Sequence, residues 1–284
     1  MGARMKKGVA AAAALVAATA AIVMGIGSSS SAAAVPALQA YGIAIDGSRL
    51  LAFKTNTPGT NDWVMRISGW VGDTKAIGLD LRVQDGKLYI VGDKGGIYTV
   101  GIPTAVLTKV SQLSVPLYGT KFGVDFNPAA DRLRVVSDNG QNLRHNLADG
   151  VTAVDTMLTT PPATTATQGV TAVAYTNNDL TGATGTTLFG VNTATDQVVI
   201  QSPANNGFLV PTGSLGFDAG LDSGLDIFSD LTDGKTVSAT AFASLTPYNG
   251  EPTLYSVDLL TGATTIVGLF ALDVTDLTVA LDTW

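Results

Sequence analysis

The chain has 284 residues, no cysteine, one histidine, and 16 Lys and Arg against 23 Asp and Glu, a formal charge of −7. Without cysteine there is no disulfide framework, thiol nucleophile or cysteine-ligated metal, and a lone histidine rules out a histidine-rich zinc site. The acidic balance disfavours nucleic acid and anionic membrane as partners, since both require a basic surface.

Residues 1–34 have the three regions of a secretory leader. Arg4, Lys6 and Lys7 form a basic start, Gly8 to Ile26 is an apolar run rich in alanine, and Ser28 to Ala34 is a small-residue stretch ending in Ala32-Ala33-Ala34. Cleavage after Ala34 is expected to release a secreted, extracellular chain beginning at Val35, with no membrane attachment. The competing reading is a retained anchor, because the apolar run is nearly long enough to span a bilayer. The leader takes three basic residues and no acidic ones, so 13 against 23 remain, about −10. Residues 35–284 are expected to form one domain, acting as a monomer.

Beyond the leader every segment reads as strand. Short alternating apolar runs are bounded by turn signals: Asp85-Gly86, Asn139-Gly140, Asp149-Gly150, Asp233-Gly234 and Asn249-Gly250. The runs also repeat. Ile77-Gly78-Leu79-Asp80-Leu81 matches Phe122-Gly123-Val124-Asp125-Phe126 and Ser223-Gly224-Leu225-Asp226-Ile227, with weaker copies at Ala172 to Tyr175 and Asp276 to Val279. Positions 80, 125, 174, 226 and 278 recur at intervals of 45, 49, 52 and 52. Units of this length with about four short strands predict the blades of an all-β propeller. Residues 38–70 read as the outer three strands of a blade and residues 274–283 as its missing innermost strand. Joining them would close a ring of five blades and hide two sheet edges. Six blades, or a pair of β-sandwiches, are the alternatives.

The polar stretch Phe122 to Asn146 stands out from its small, apolar, threonine-rich surroundings. Within it, Asp125-Phe126-Asn127-Pro128, Asp131-Arg132-x-Arg134-Val135-Val136-Ser137 and Gly140-Gln141-Asn142-Leu143-Arg144 resemble a bacterial exported family known as domain of unknown function four-three-nine-four. Ala174-Tyr175-Thr176-Asn177-Asn178, the Pro203-Ala204-Asn205-Asn206-Gly207 loop, Gly213 to Gly216, and Leu254-Tyr255 with Thr261-Gly262 extend the resemblance over the whole mature chain. One departure is Leu81-Arg82-Val83, where the family usually shows an aromatic residue, Arg and Pro. The resemblance implies a β-propeller and brings no established activity.

The candidate site residues follow from the repeat. Asp80, Asp125 and Asp226 hold equivalent places on innermost strands, so their carboxylates should converge near the axis. Converging like charges need neutralising, by a cation such as Ca²⁺ or by arginine. The plainer reading is that these aspartates bind backbone N–H groups or cap turns. Asn127 to Asp131 reads as a turn, and Arg132 and Arg134, two apart on a strand, could pair with internal carboxylates or grip an anionic ligand. Asp125, Asn127, Asp131, Arg132, Arg134 and Arg144 are expected to form one polar network, with Gln141 and Asn142 beside it. Tyr175, Asn177, Asn178, Asn205 and Asn206 are candidate ligand contacts or turn residues. Asp218, Asp222, Asp226, Asp230 and Asp233 read as a second cation site or a solvated loop. His145 sits in no nucleophile motif and reads as structural.

Two functions fit. One is a non-catalytic extracellular binding propeller for a glycan, a peptide or a surface protein. The other is a cation-dependent hydrolase or lactonase using channel carboxylates. Fold alone does not choose, because propellers host both. An open pocket around paired carboxylates would favour the enzyme, a plugged channel and shallow face the binder.

Overall fold

The computed structural model describes residues 35–44, 46–182 and 184–282, so the expected leader, residues 1–34, lies outside the described residues. Twenty strands form five separate four-stranded antiparallel sheets, and these are the blades of a five-bladed β-propeller, not a six-bladed one. Blade 1 is β20 (Val274–Val279), β1 (Gln39–Ala44), β2 (Arg49–Lys54) and β3 (Asn61–Arg66). Blade 2 is β4 (Ala76–Arg82), β5 (Lys87–Gly92), β6 (Gly96–Gly101) and β7 (Val106–Gln112). Blade 3 is β8 (Phe122–Asn127), β9 (Arg132–Ser137), β10 (Asn142–His145) and β11 (Thr152–Val154). Blade 4 is β12 (Val170–Tyr175), β13 (Leu188–Asn192), β14 (Gln197–Gln201) and β15 (Leu209–Ser214). Blade 5 is β16 (Ala219–Thr232), β17 (Lys235–Pro247), β18 (Thr253–Val257) and β19 (Thr264–Leu269). No helix among the described residues is long and apolar enough to cross a membrane.

The local sequence explains the hairpins. Asp233-Gly234 carries positive φ at both residues (53° and 72°) and joins Thr232 to its partner Lys235, the two-residue turn such a pair favours. Asp131 (φ 51°) closes the β8–β9 turn, its N–H donating to Asn127 O at 2.9 Å.

The core is divided among the five seams between blades. Leu79, Val124, Val173, Leu225 and Leu277, the middle residues of the repeated innermost triplet, each enter a different apolar cluster. Edge-on aromatic pairs cross two seams: Phe53 with Phe270 at 5.2 Å and Tyr89 with Phe126 at 5.0 Å. Burial falls off outward. The innermost β12 is buried throughout, whereas outer β7 alternates between buried and exposed residues.

The ring closes as its ends foretold. β20 pairs antiparallel with β1, setting Ala40 against Val279, Tyr41 against Thr278 and Gly42 against Leu277. The last strand thus supplies the wall that blade 1 lacks. Deleting residues 274–284 should unpair β1 and open the blade 5–blade 1 seam. Denaturant unfolding of the truncated chain should show a much lower midpoint or no cooperative transition; an unchanged midpoint would refute closure by β20.

Candidate functional site

The five innermost strands pack in a ring, and the repeated triplet fixes what each sends toward the axis. The first position is Gly78, Gly123, Ala172, Gly224 and Asp276 in turn. A Cβ on Gly78 would lie 2.3 Å from a Val124 methyl group, and one on Gly224 would lie 2.8 Å from Asp276 Oδ1. The strands are therefore too close for a side chain at these glycines, and the carboxylate of Asp276 fills the space that Gly78 and Gly224 leave.

The next layer is Asp80, Asp125, Ala174, Asp226 and Thr278. Here each aspartate reaches the backbone of the following blade. Phe126 N–H donates to Asp80 Oδ2 (2.7 Å), Tyr175 N–H to Asp125 Oδ1 (3.1 Å) and Val279 N–H to Asp226 Oδ2 (2.5 Å). Asp276 does the same one layer up, accepting from Leu79 N–H at 2.9 Å. Four of the five seams at the axis are thus bridged by a carboxylate. At the remaining one, between blades 4 and 5, Thr171 and Ser223 pair their hydroxyls at 2.5 Å, and Asn178 takes a bond from each side of its neighbour: its N–H donates to Ser229 Oγ and its Nδ2 to Ile227 O.

One oxygen from each of Asp80, Asp125 and Asp226 lies within 4.8 Å of the others, all buried. Burial, then the neighbouring Asp226 charge, holds the Asp80 carboxyl well above the usual range, and burial with the charges of Asp80 and Asp226 does the same for Asp125. Asp276 is raised well above that range, chiefly by burial, and burial pushes Asp226 up to about 6. Thr278 Oγ1 stands 3.1 Å from Asp80 Oδ1 and 3.0 Å from Asp226 Oδ2. A hydroxyl has one proton to give, so it can bond both carboxyls only if one of them is protonated and donates to it. Ca²⁺ would want about six to eight oxygens. The oxygens converging here are few and largely committed to N–H donors, a set suited to retaining protons more than to wrapping a hard dication.

Around the start of the innermost strands is a small polar funnel of about 70 Å³. Every blade contributes to it, among others through Gly47, Ala76, Phe122, Thr171, Ser223 and Thr275, and Lys121 pairs with Asp222 across its rim.

The second polar centre lies between blades 3 and 4. Arg134, 1% exposed, donates from Nη1 to Asn142 Oδ1 (2.6 Å) and Asp155 Oδ2 (2.7 Å), from Nη2 to Asn205 Oδ1 (2.7 Å) and from Nε to Tyr175 Oη (3.3 Å). Arg144 shares Asp155, at 3.1 and 3.2 Å. Asn142 Nδ2 donates to the carbonyls of Thr156 and Ala204. Every partner of Arg134 belongs to the protein, so this guanidinium is a clasp between blades.

The expected single network is therefore divided. Asp125 belongs to the axis, Arg134 and Arg144 to the clasp, and Asp131 to a third group in which Arg82 grips it bidentately at 2.7 and 2.6 Å while also bonding Asp85. Two residues apart on β9, Arg132 and Arg134 take different partners, because Arg132 at the strand start turns back to the carbonyls of Ala130 and Asp131. Asn127 accepts from Ala130 N–H and so serves its turn. Gln141 is buried, bonded to Tyr118 N–H and Pro116 O. Asn177 turns the chain at φ 62° and bonds Gly185 O; Asn205 and Asn206 lie in a single 3-10 turn. The aspartates from 218 to 233 do not form one group. Most lie on strand β16 instead of a loop, which carries Asp226 to the axis, Asp222 to the funnel rim and Asp230 to Ser238. His145 is buried between Ser111 and Thr152, at 2.8 and 2.9 Å, and burial lowers its pKa. The residues not singled out from the sequence are Arg82, Lys121, Asp155, Asp276 and Thr278. Of these, Asp276 could have been found from its place at the head of the last copy of the triplet.

A family model described as domain of unknown function (DUF4394) matches residues 49–278. No curated protein matches the chain. A structural-genomics protein of unknown function from Bacteroides thetaiotaomicron is similar in fold, with TM-score 0.52 and 14% identity over 85% of this chain and 66% of that one. An auxiliary nutrient binding protein from the same organism aligns at TM-score 0.41 and 12% identity, over 72% of this chain and 55% of that one. Myxococcus xanthus glutaminyl cyclase aligns at TM-score 0.42 and 14% identity, over 77% and 95%. The chain thus spans less than two thirds of the length of the first two.

Two outcomes are expected. Arg134→Ala should leave the Asn205 amide oxygen without its donor, with Asp155 still held by Arg144, and lower stability by about 1–3 kcal/mol in denaturant unfolding; near-normal stability would show that the clasp is dispensable. The axis should make stability fall as pH rises. Between the ordinary carboxylate range and about 6, Asp226 holds a proton in the folded form that the unfolded chain has lost, and Asp80, Asp125 and Asp276 extend the same trend upward. His145 acts oppositely below its ordinary pKa. Melting curves from pH 5 to pH 8 should therefore descend, and Asp226→Asn should flatten the descent while leaving the histidine contribution in place. A Ca²⁺-induced rise in melting temperature at pH 8 that vanishes at pH 5 would instead assign the axis to a cation.

Proposed function

We propose that this chain, which belongs to the family of domain of unknown function (DUF4394), is an exported, non-catalytic binding propeller that takes its ligand on the face where the innermost strands begin. The observation that carries this reading is a run of connected recesses on that face. The axial funnel shares Leu221, Asp222 and Thr275 with a recess of about 280 Å³ between blades 5 and 1. That recess shares Asp273 with a more apolar one of about 490 Å³ against blade 1. Beneath the funnel the axis is filled by Asp276 and by aspartates bonded to backbone N–H groups. A closed axis under a connected surface groove fits capture of a ligand across the face, with specificity set by loops on a rigid scaffold.

The clustered carboxylates favour a second reading, a cation-assisted hydrolase. It would place chemistry on groups that are buried and hold neighbouring blades together, with the reacting bond brought through a funnel of about 70 Å³. The groove is the better supported site.

Leu221 is exposed on the groove wall, so Leu221→Trp should obstruct it without altering the melting temperature. A screen of peptides and oligosaccharides against the secreted protein, its N-terminus sequenced to check for Val35, should yield a ligand whose binding Leu221→Trp abolishes. Ligands unaffected by this change, or hydrolysis of a screened compound lost in Asp125→Asn, would overturn the reading.

A further inference from the structure

Resting on that reading, we propose that the groove's ligand is an extended peptide segment carrying lysine or arginine between apolar residues. Charge complementarity carries the argument. At the two ends of the groove the acids are already met, Asp222 by Lys121 and Asp46 by Arg49. In the middle stretch, Glu251 and Asp273 are exposed and form no ion pair or side-chain hydrogen bond among the described residues. No basic side chain among the described residues lines that recess. The groove therefore has an uncompensated double negative charge midway along it, where cationic side chains would be drawn.

The walls decide between ligand classes. Leu221 is 53% exposed and Leu272 38% exposed, with Val64 at the far end. These side chains offer apolar contact spaced along the groove on either side of the two carboxylates. A sugar ligand would be expected to stack on aromatic faces, and among the described residues the only aromatic one lining the three recesses is Phe122, at the funnel. The recesses succeed one another instead of forming one deep pocket, which suits a chain lying across the face. Aliphatic walls, alternate small recesses and a paired negative charge fit a cationic, partly apolar peptide and leave a neutral glycan with few directed contacts.

The test uses the mature protein and three probes: a fluorescein-labelled peptide of repeating Gly-Leu-Lys, its Gly-Leu-Glu counterpart, and a neutral chitin oligosaccharide. The lysine peptide should bind, and the Glu251→Gln, Asp273→Asn double variant should weaken it by about tenfold or more. The Asp149→Asn, Asp233→Asn double variant removes the same charge from exposed turns away from the groove and should leave binding nearly unchanged. Equal loss in both double variants would mean attraction to the acidic surface as a whole, and would overturn the proposal. Binding of the glutamate peptide or the oligosaccharide, abolished by Leu221→Trp, would overturn the cationic peptide as ligand while sustaining the groove. Failure of Leu221→Trp to affect any bound probe would sink the groove and the peptide together. Circular-dichroism melts of each variant confirm that the losses are not unfolding.

Discussion

The constraint on which the rest of this structure depends is the narrowness of its axis. Five innermost strands converge until their backbones nearly touch, and at Gly123 an added Cβ would come within 2.7 Å of the Val173 backbone nitrogen. Such an approach admits glycine or alanine and little else. It also brings each strand's backbone N–H within reach of its neighbour's side chain. A short acceptor two residues after the glycine then completes the join, and aspartate is the acceptor used. The triplet of glycine, aliphatic residue and aspartate is therefore one device with three parts: close approach, a plug for the apolar seam, and a hydrogen bond to the next blade. That device concentrates carboxylates on the axis, and their burial raises their proton affinity, so the chemistry of the centre follows from its packing.

This is also why so much of the fold could be read from the sequence and less of the site. A steric requirement that recurs in every blade leaves a repeat, and Gly78-Leu79-Asp80, Gly123-Val124-Asp125 and Gly224-Leu225-Asp226 mark three blades directly. Blade 4 is weaker because Ala172 and Ala174 replace both glycine and aspartate, its seam to blade 5 being joined by Thr171, Ser223 and Asn178 instead. Blade 1 is disguised differently. Its innermost strand begins its triplet with Asp276, so the carboxylate appears one layer early, in the gap that Gly78 and Gly224 leave open. The arginines of the central motif were visible, but the division of their labour was not. Arg134 finds Asp155 21 residues away and Asn205 71 residues away, and no local spacing announces either. Arg82, the one residue of Leu81-Arg82-Val83 that keeps the usual family pattern, grips Asp131 across the blade 2–blade 3 seam.

The groove was the least legible feature, for a related physical reason. Its walls come from the first residues of β16, from the turn before β20, from the β17–β18 connection, and from blade 1. None of these segments is under the steric pressure that writes the axial triplet, so none repeats. Loops of this kind can vary while the scaffold is held fixed by its innermost strands.

The long polar motif and the proposed groove are thus different parts of the molecule. The motif is polar because two blades meet there around a buried guanidinium, whose side-chain partners come from both of them. Its central residues are internal: Arg134 and Asn142 are almost fully buried, and Gln141, also buried, bonds the loop at Pro116 and Tyr118. The groove is built from residues that make few bonds within the protein, Glu251, Asp273, Leu221 and Leu272, and these retain what a binding surface needs, unpaired charge and exposed apolar area. Polar density along a chain locates where a propeller needs fastening. Sites for partners are found instead where side chains have been left without internal ones.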